Sequence, residues 1–188
     1  SAPQDITTLY YIYQDGTGVI STNQPVIKGD SSIEKFFVAK VGDTYYKTLA
    51  DAVTAANNTT VTLLKDTTEN VTIPTDKTIT LDLNGKNIGV TSGCAIVNKG
   101  TLTVTGSGNV TTSAADSAAV ANFPDAVANL NGGTYSSNVW YVIKNLGEMV
   151  IDGPVTVKKP DGSENTASLI DNGWCGSTDG VAGESVPA

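Results

Sequence analysis

The chain has 188 residues, with 11 Lys, no Arg and no His against 19 Asp and Glu, for a net charge of −8. Nucleic-acid and anionic-membrane binding are excluded as principal roles, because both need a basic face. The length suits one domain with at most a small annex, and a hydrophobic share of 39% is low for a globule with one large core. Thr, Asn, Gly, Val and Ala dominate instead, the residues of short strands and tight turns.

Residues 1–38 differ from the rest and read as a Tyr-rich arm. Leu9-Tyr10-Tyr11-Ile12-Tyr13 alternates and ends at Asp15-Gly16-Thr17-Gly18, which is hairpin-turn chemistry. Tyr10, Tyr11 and Tyr13 are the candidate docking residues, since nothing local looks large enough to cover an aromatic strand. Residues 39–60 follow as a hairpin and cap. Phe36–Val41 and Thr44–Lys47 flank the turn Gly42-Asp43, and a short helix runs from Leu49 to about Asn57. Thr48 is its expected N-cap with Asp51 three residues on, and Leu49, Ala52, Val53 and Ala56 share one face. The helix is expected to shield the open end of whatever stack follows.

From Val61 the chain breaks into β-branched runs, Val61–Leu64, Val71–Ile73, Ile79–Leu83 and Ala95–Val97, each too short to stand alone. Later segments repeat them. Ala95–Gly106 and Tyr141–Gly153 share an apolar pair, Asn, Gly, an alternating strand and Gly. Ala119–Asn122 with Val127–Tyr135 is a looser copy, and Ser168–Gly173 begins another. Asn98 and Asn145 lie 47 residues apart, two coils of about 23, and strands with Gly or Asn corners at this period, without further helices, predict coils 61–175 of a parallel β-solenoid and a Gly-rich tail 176–188. An antiparallel sandwich would share the short strands but not the repeat. Asn98, Asn122, Asn145 and Asn172 fall at corresponding corners, where side-chain amides can ladder from coil to coil.

The block VGDTYYKTLADAVTAA, followed by VTLLKDTTENVTIP, KTITLDLNGK and AIVNKGTLTVTGSG, resembles right-handed parallel β-helix modules of the pectate-lyase-like superfold. Such modules belong to Gram-positive gut bacteria and their phages. The resemblance spans Ala39 to Gly173 and implies an all-β, right-handed parallel β-helix with an N-terminal capping helix. It is specific for fold and weak for function, because these modules are reused in adhesins, surface proteins and phage fibres.

Chemistry is sparsely equipped. Lyases on this fold need a strong base beside calcium-holding carboxylates, and only Lys77, Lys86, Lys99 and Lys144 stand in the coils. Asp82, Glu148 and Asp152 are the candidates for a paired-carboxylate glycosidase, yet Asp82 in LDLNG is explained by an outward strand position. No catalytic set is expected, no cofactor, and no metal. Asp15–Gly18 and Asp161–Glu164 read as turns that lack the acidic ligands of a calcium loop. Cys94 and Cys175 have no metal spacing; two buried thiols are favoured over one bridge. Trp140, Tyr141 and Trp174 form a candidate platform, for sugar stacking or for closing the stack.

The expectation is a non-enzymatic display protein on a phage particle, docking to a capsid or tail protein through the arm, with host glycans as a further candidate partner. The alternatives are a module of a bacterial cell-surface adhesin and a carbohydrate-binding or carbohydrate-active domain. A homotrimer fits a fibre, though no interface signature fixes the oligomeric state.

Overall fold

The structure is a computed structural model, described here for residues 36–139, 141–158, 161–162 and 170–172. The Tyr-rich segment, Trp140 and Trp174, Cys175 and the tail lie outside these residues.

The chain enters through an antiparallel hairpin, β1 (Ala39–Val41) and β2 (Thr44–Tyr46), whose turn is made possible by Gly42 at φ 56°. Helix α1 (Leu49–Ala55) follows and ends two residues before the expected Asn57, because Ala56 is already extended. The Thr48 hydroxyl accepts from the Asp51 amide at 3.1 Å. Leu49, Ala52 and Val53 point into the core.

Strand β3 (Thr59–Leu63) pairs antiparallel with β1 and parallel with β5 (Thr78–Asp82), so the hairpin caps the first coil. Between them, Thr67 bridges Ile88 and β4 (Val71–Ile73) completes the opening turn. Each later coil then repeats one circuit through three sheets. After β5 comes β6 (Ile88–Val90); the next coil is β7 (Ile96–Asn98), β8 (Thr101–Thr105) and β9 (Asn109–Thr112). The third is β10 (Val120–Asn122), β11 (Val127–Leu130) and β12 (Thr134–Ser136). The fourth is β13 (Ile143–Asn145), β14 (Glu148–Ile151) and β15 (Thr156–Lys158), and β16 (Ile170–Asn172) starts a fifth.

Every coil-to-coil pair is parallel. The sheets run β14-β11-β8-β5-β3-β1-β2, β16-β13-β10-β7-β4 and β15-β12-β9-β6, a parallel β-solenoid of about 4 turns. Period-2 alternation sends Ile79, Leu81, Leu102, Val104, Ala128 and Leu130 inward, all buried, while Thr80, Thr103 and Asn129 face out. Tightly packed, narrow interiors of this kind derive stability from each coil covering the last.

Two charged side chains hold the helical lid to the coil beneath it. The Glu69 carboxylate accepts from the Leu49 amide at 2.9 Å and the Ala50 amide at 3.3 Å, and is itself held by the Thr67 hydroxyl at 3.1 Å. At the other end, Lys77 Nζ donates to the Thr54 and Ala56 carbonyls at 2.8 and 3.0 Å. An anion at the N-terminus and a cation at the C-terminus both complement the helix dipole. Glu69→Ala is therefore expected to lower the unfolding free energy by about 1–2 kcal/mol, with Lys77→Met costing less. Denaturant titration of the two variants and the double variant measures both contributions.

Candidate functional site

The corner after each strand of the five-stranded sheet carries the most organised polar chemistry in the molecule. Asn98, Asn122, Asn145 and Asn172 stand in one column, each pairing with the next. Asn98 Nδ2 donates to Asn122 Oδ1 at 2.8 Å, and Asn122 Nδ2 donates to Asn145 Oδ1 at 2.8 Å. Asn98 Nδ2 also reaches the Val127 carbonyl, and Asn122 Nδ2 reaches those of Glu148 and Ala126. The oxygens of Asn98 and Asn145 accept from the amides of Gly100 and Gly147. Asn98 and Asn122 are fully buried and Asn145 nearly so. These amides serve one another and the backbone.

The corners alternate between two forms. Asn98-Lys99-Gly100 and Asn145-Leu146-Gly147 turn in the fewest residues, whereas Ile73–Thr78 and Asn122–Val127 insert a proline-containing turn, closed by bonds from Lys77 N to Pro74 O and from Ala126 N to Phe123 O. Each short corner sits on a long one. A Cβ at Gly100 would collide with the Pro74 and Lys77 carbonyl oxygens, and one at Gly147 with those of Phe123 and Ala126. This alternation explains why the sequence repeats more clearly over two coils than over one.

Two of the coil lysines, Lys77 and Lys99, are engaged locally. Lys77 serves the lid, Lys99 Nζ lies 5.0 Å from the centre of the Phe123 ring, and Lys144 points outward from β13 in register with Ala121 and Asp171. The carboxylates do not converge. Asp82 Oδ1 accepts from the Asn84 amide at 2.9 Å, shaping a turn in which Asn84 and Gly85 both have positive φ. Asp82 ends β5 and Asp152 directly follows β14 three coils on, about 14 Å away at the spacing of paired strands, against the roughly 5–9.5 Å of a glycosidase pair. Glu148 is at the opposite end of β14 from Asp152. Among the described residues, no group of three Asp, Glu or Cys is placed to hold a metal ion.

A shallow recess of about 260 Å³ lies at the corner leading into the four-stranded sheet, lined by Gly106, Ser107, Gly108, Asn131, Gly133, Thr134 and Pro154. It presents no charged or aromatic side chain. Beneath it, Tyr135 is fully buried, and its hydroxyl donates to the Gly132 carbonyl at 2.8 Å. Burial raises its pKa well above the ordinary tyrosine value. The unfolded chain therefore loses the phenol proton first, and stability falls as pH rises above about 10, by up to about 1.4 kcal/mol per unit. Comparing unfolding at pH 9 and pH 11 for the natural chain and Tyr135→Phe isolates that slope, which the variant is expected to lose.

Of the aromatic platform, Tyr141 is described. It is half-buried and its hydroxyl contacts the Asp116 carbonyl at 3.4 Å. Trp140 and Trp174, like Tyr10, Tyr11 and Tyr13, lie outside the described residues. Cys94 is half-buried at a corner where its carbonyl, with that of Ser92, accepts from Asn70 Nδ2.

Comparison with protein-family models, curated proteins and solved structures finds no match to this chain.

Sequence reasoning missed the lid contacts and a second, exposed ladder. Asp66 Oδ1 accepts from the Asn87 amide at 2.8 Å, and Asn87 Oδ1 accepts from the Asn109 amide and side chain at 3.0 and 2.8 Å. The spacings of 21 and 22 residues between these three were the available signal. What the described residues present is a rod whose corners bind themselves, closed at one end by α1.

Proposed function

We propose that this chain is a non-enzymatic structural and display protein on the outer surface of a phage particle, a capsid decoration or fibre. It docks by its N-terminal segment and projects the β-helix for attachment. The observation that carries this reading is the polarity of the stack. One end is sealed by α1 and clamped by Glu69 and Lys77, and the described residues begin at that end, with Phe36 leading into β1. Further support comes from the resemblance to surface and fibre modules, and from corners whose Asn98, Asn122, Asp82 and Lys77 side chains are engaged in local structure.

The test is to recover the chain from particles with Tyr10, Tyr11 and Tyr13 each replaced by Ser. The triple variant should keep the circular-dichroism spectrum of the natural chain and fail to co-sediment with particles. Recovery of the natural chain from cell walls instead of particles would contradict the proposal and favour the adhesin reading.

A further inference from the structure

Three Asn-Gly pairs stand in the chain, Asn84-Gly85, Asn131-Gly132 and Asn172-Gly173, and the first two lie wholly within the described residues. The pairing matters chemically. The carboxamide carbon of an asparagine can be attacked by the backbone nitrogen of the next residue, and glycine, lacking a Cβ, allows the closest approach. Hydrogen bonds that hold either group oppose the attack, so the folded structure decides which pair reacts.

Asn84 and Asn131 are both exposed, and each stands just past a strand of the long sheet, β5 or β11. Their bonding differs. Asn84 Nδ2 donates to the Leu63 carbonyl at 2.9 Å, and the Gly85 amide donates to the Ser107 carbonyl at 2.7 Å. Carboxamide and nucleophile are thus each tied to a neighbouring coil. At the later corner the Asn131 amide donates to the Val104 carbonyl at 2.8 Å. The Asn131 carboxamide and the Gly132 nitrogen, however, have no hydrogen-bond partner among the described residues. Asn131 also lines the shallow recess with Gly106 and Pro154, where water has access.

We propose that Asn131-Gly132 is a self-modification site of the folded chain. The Gly132 nitrogen, losing its proton to solvent base, bonds to Asn131 Cγ, and the carboxamide nitrogen leaves as ammonia. Water then opens the cyclic imide. Opening at the side-chain carbonyl gives an aspartate, and opening at the main-chain carbonyl gives an isoaspartate, whose backbone runs through the β-carbon. Water is consumed, ammonia is released, and no redox step is involved.

Both products disturb the stack. Asp152 follows Ile151, the partner of Leu130, so the new carboxylate lies one coil from Asp152 and like charges become neighbours. The isoaspartate lengthens the main chain where there is no room for it. A Cβ at Gly132 would already collide with the Gly106 carbonyl oxygen of the coil beneath, and the Tyr135 hydroxyl holds the Gly132 carbonyl in place. The modified corner stacks less well than the original.

Incubation of the folded full chain at mildly alkaline pH in oxygen-18 water, then digestion in ordinary water and peptide mapping, tests this. Trypsin separates the two pairs, because cleavage after Lys77, Lys86, Lys99 and Lys144 leaves Asn84 in residues 78–86 and Asn131 in residues 100–144. Label should enter at Asn131 at least about tenfold faster than at Asn84, whose bonds must open first. In denaturant the two sites should convert at similar rates. Equal rates in the folded chain, or an Asn131 that stays unlabelled while the denatured chain converts, would overturn the proposal. Asn131→Gln should keep the natural circular-dichroism spectrum and remove the label from residues 100–144; label persisting there would also overturn it. The aged natural chain should unfold at a lower denaturant concentration than Asn131→Gln aged in parallel, relative to fresh samples of each. An unchanged midpoint in converted chain would refute the loosening of the corner.

Discussion

Asn122→Ala should be the most damaging single change in the solenoid, lowering the unfolding free energy by about 3–4 kcal/mol. Asn122 is fully buried and occupies the middle of the ladder, accepting from Asn98 and donating to Asn145 and to the Glu148 and Ala126 carbonyls. Alanine leaves carbonyl groups at the corner without this donor, and a buried polar group without a partner costs about 1–3 kcal/mol. Asn145→Ala should cost less, since that side chain retains slight exposure where Asn122 has none. Against a total of about 5–15 kcal/mol for a domain, the Asn122 variant should show a clearly earlier denaturant midpoint with the slope of the transition retained.

Gly100→Ala should cost about 2–3 kcal/mol for a different reason. Gly100 has no positive φ, so backbone strain is not the issue. The added methyl group meets the carbonyl oxygens of Pro74 and Lys77 on the coil beneath, and these are backbone atoms that cannot rotate away. The Thr101 amide bonds to that same Lys77 carbonyl, so relieving the clash separates paired strands. Gly42→Ala gives the contrast. Nothing lies within 4 Å of the Cβ it would gain, and its cost comes from its φ of 56° alone. Thermal unfolding of both variants separates steric collision between coils from local backbone preference.

Much of the architecture was legible because a solenoid writes its geometry into the sequence repeatedly. The ladder asparagines recur at intervals of 24 and 23 residues, and the alternation of Ile79-Thr80-Leu81 or Leu102-Thr103-Val104 identifies the buried face. The helix was legible through Thr48 and its apolar stripe. What escaped notice was chemistry without a local signature. Glu69 caps a helix that starts 20 residues earlier, and no window around Glu69 reveals that contact. Strand β6 was missed because Gly89, a residue depleted in strands, separates Ile88 from Val90 where β4 has a β-branched Thr72 between Val71 and Ile73. The corner inserted after Asn122 also blurred the third coil, since Asp125 takes a positive φ to make room for a turn that the short Asn-x-Gly corners lack. For the site, sequence could rank residues by type, but only the register separates Asp82 from Asp152 by three coils.

The buried amide ladder is the feature on which the scaffold reading depends most directly, and hydrogen exchange of its side-chain carboxamides tests it. The Nδ2 protons of Asn98 and Asn122 should exchange as slowly as the backbone amides of β7 and β10, because both are buried and bonded across coils. Exchange of these carboxamides at the rate of an exposed Asn side chain, while the strand amides stay protected, would contradict the account.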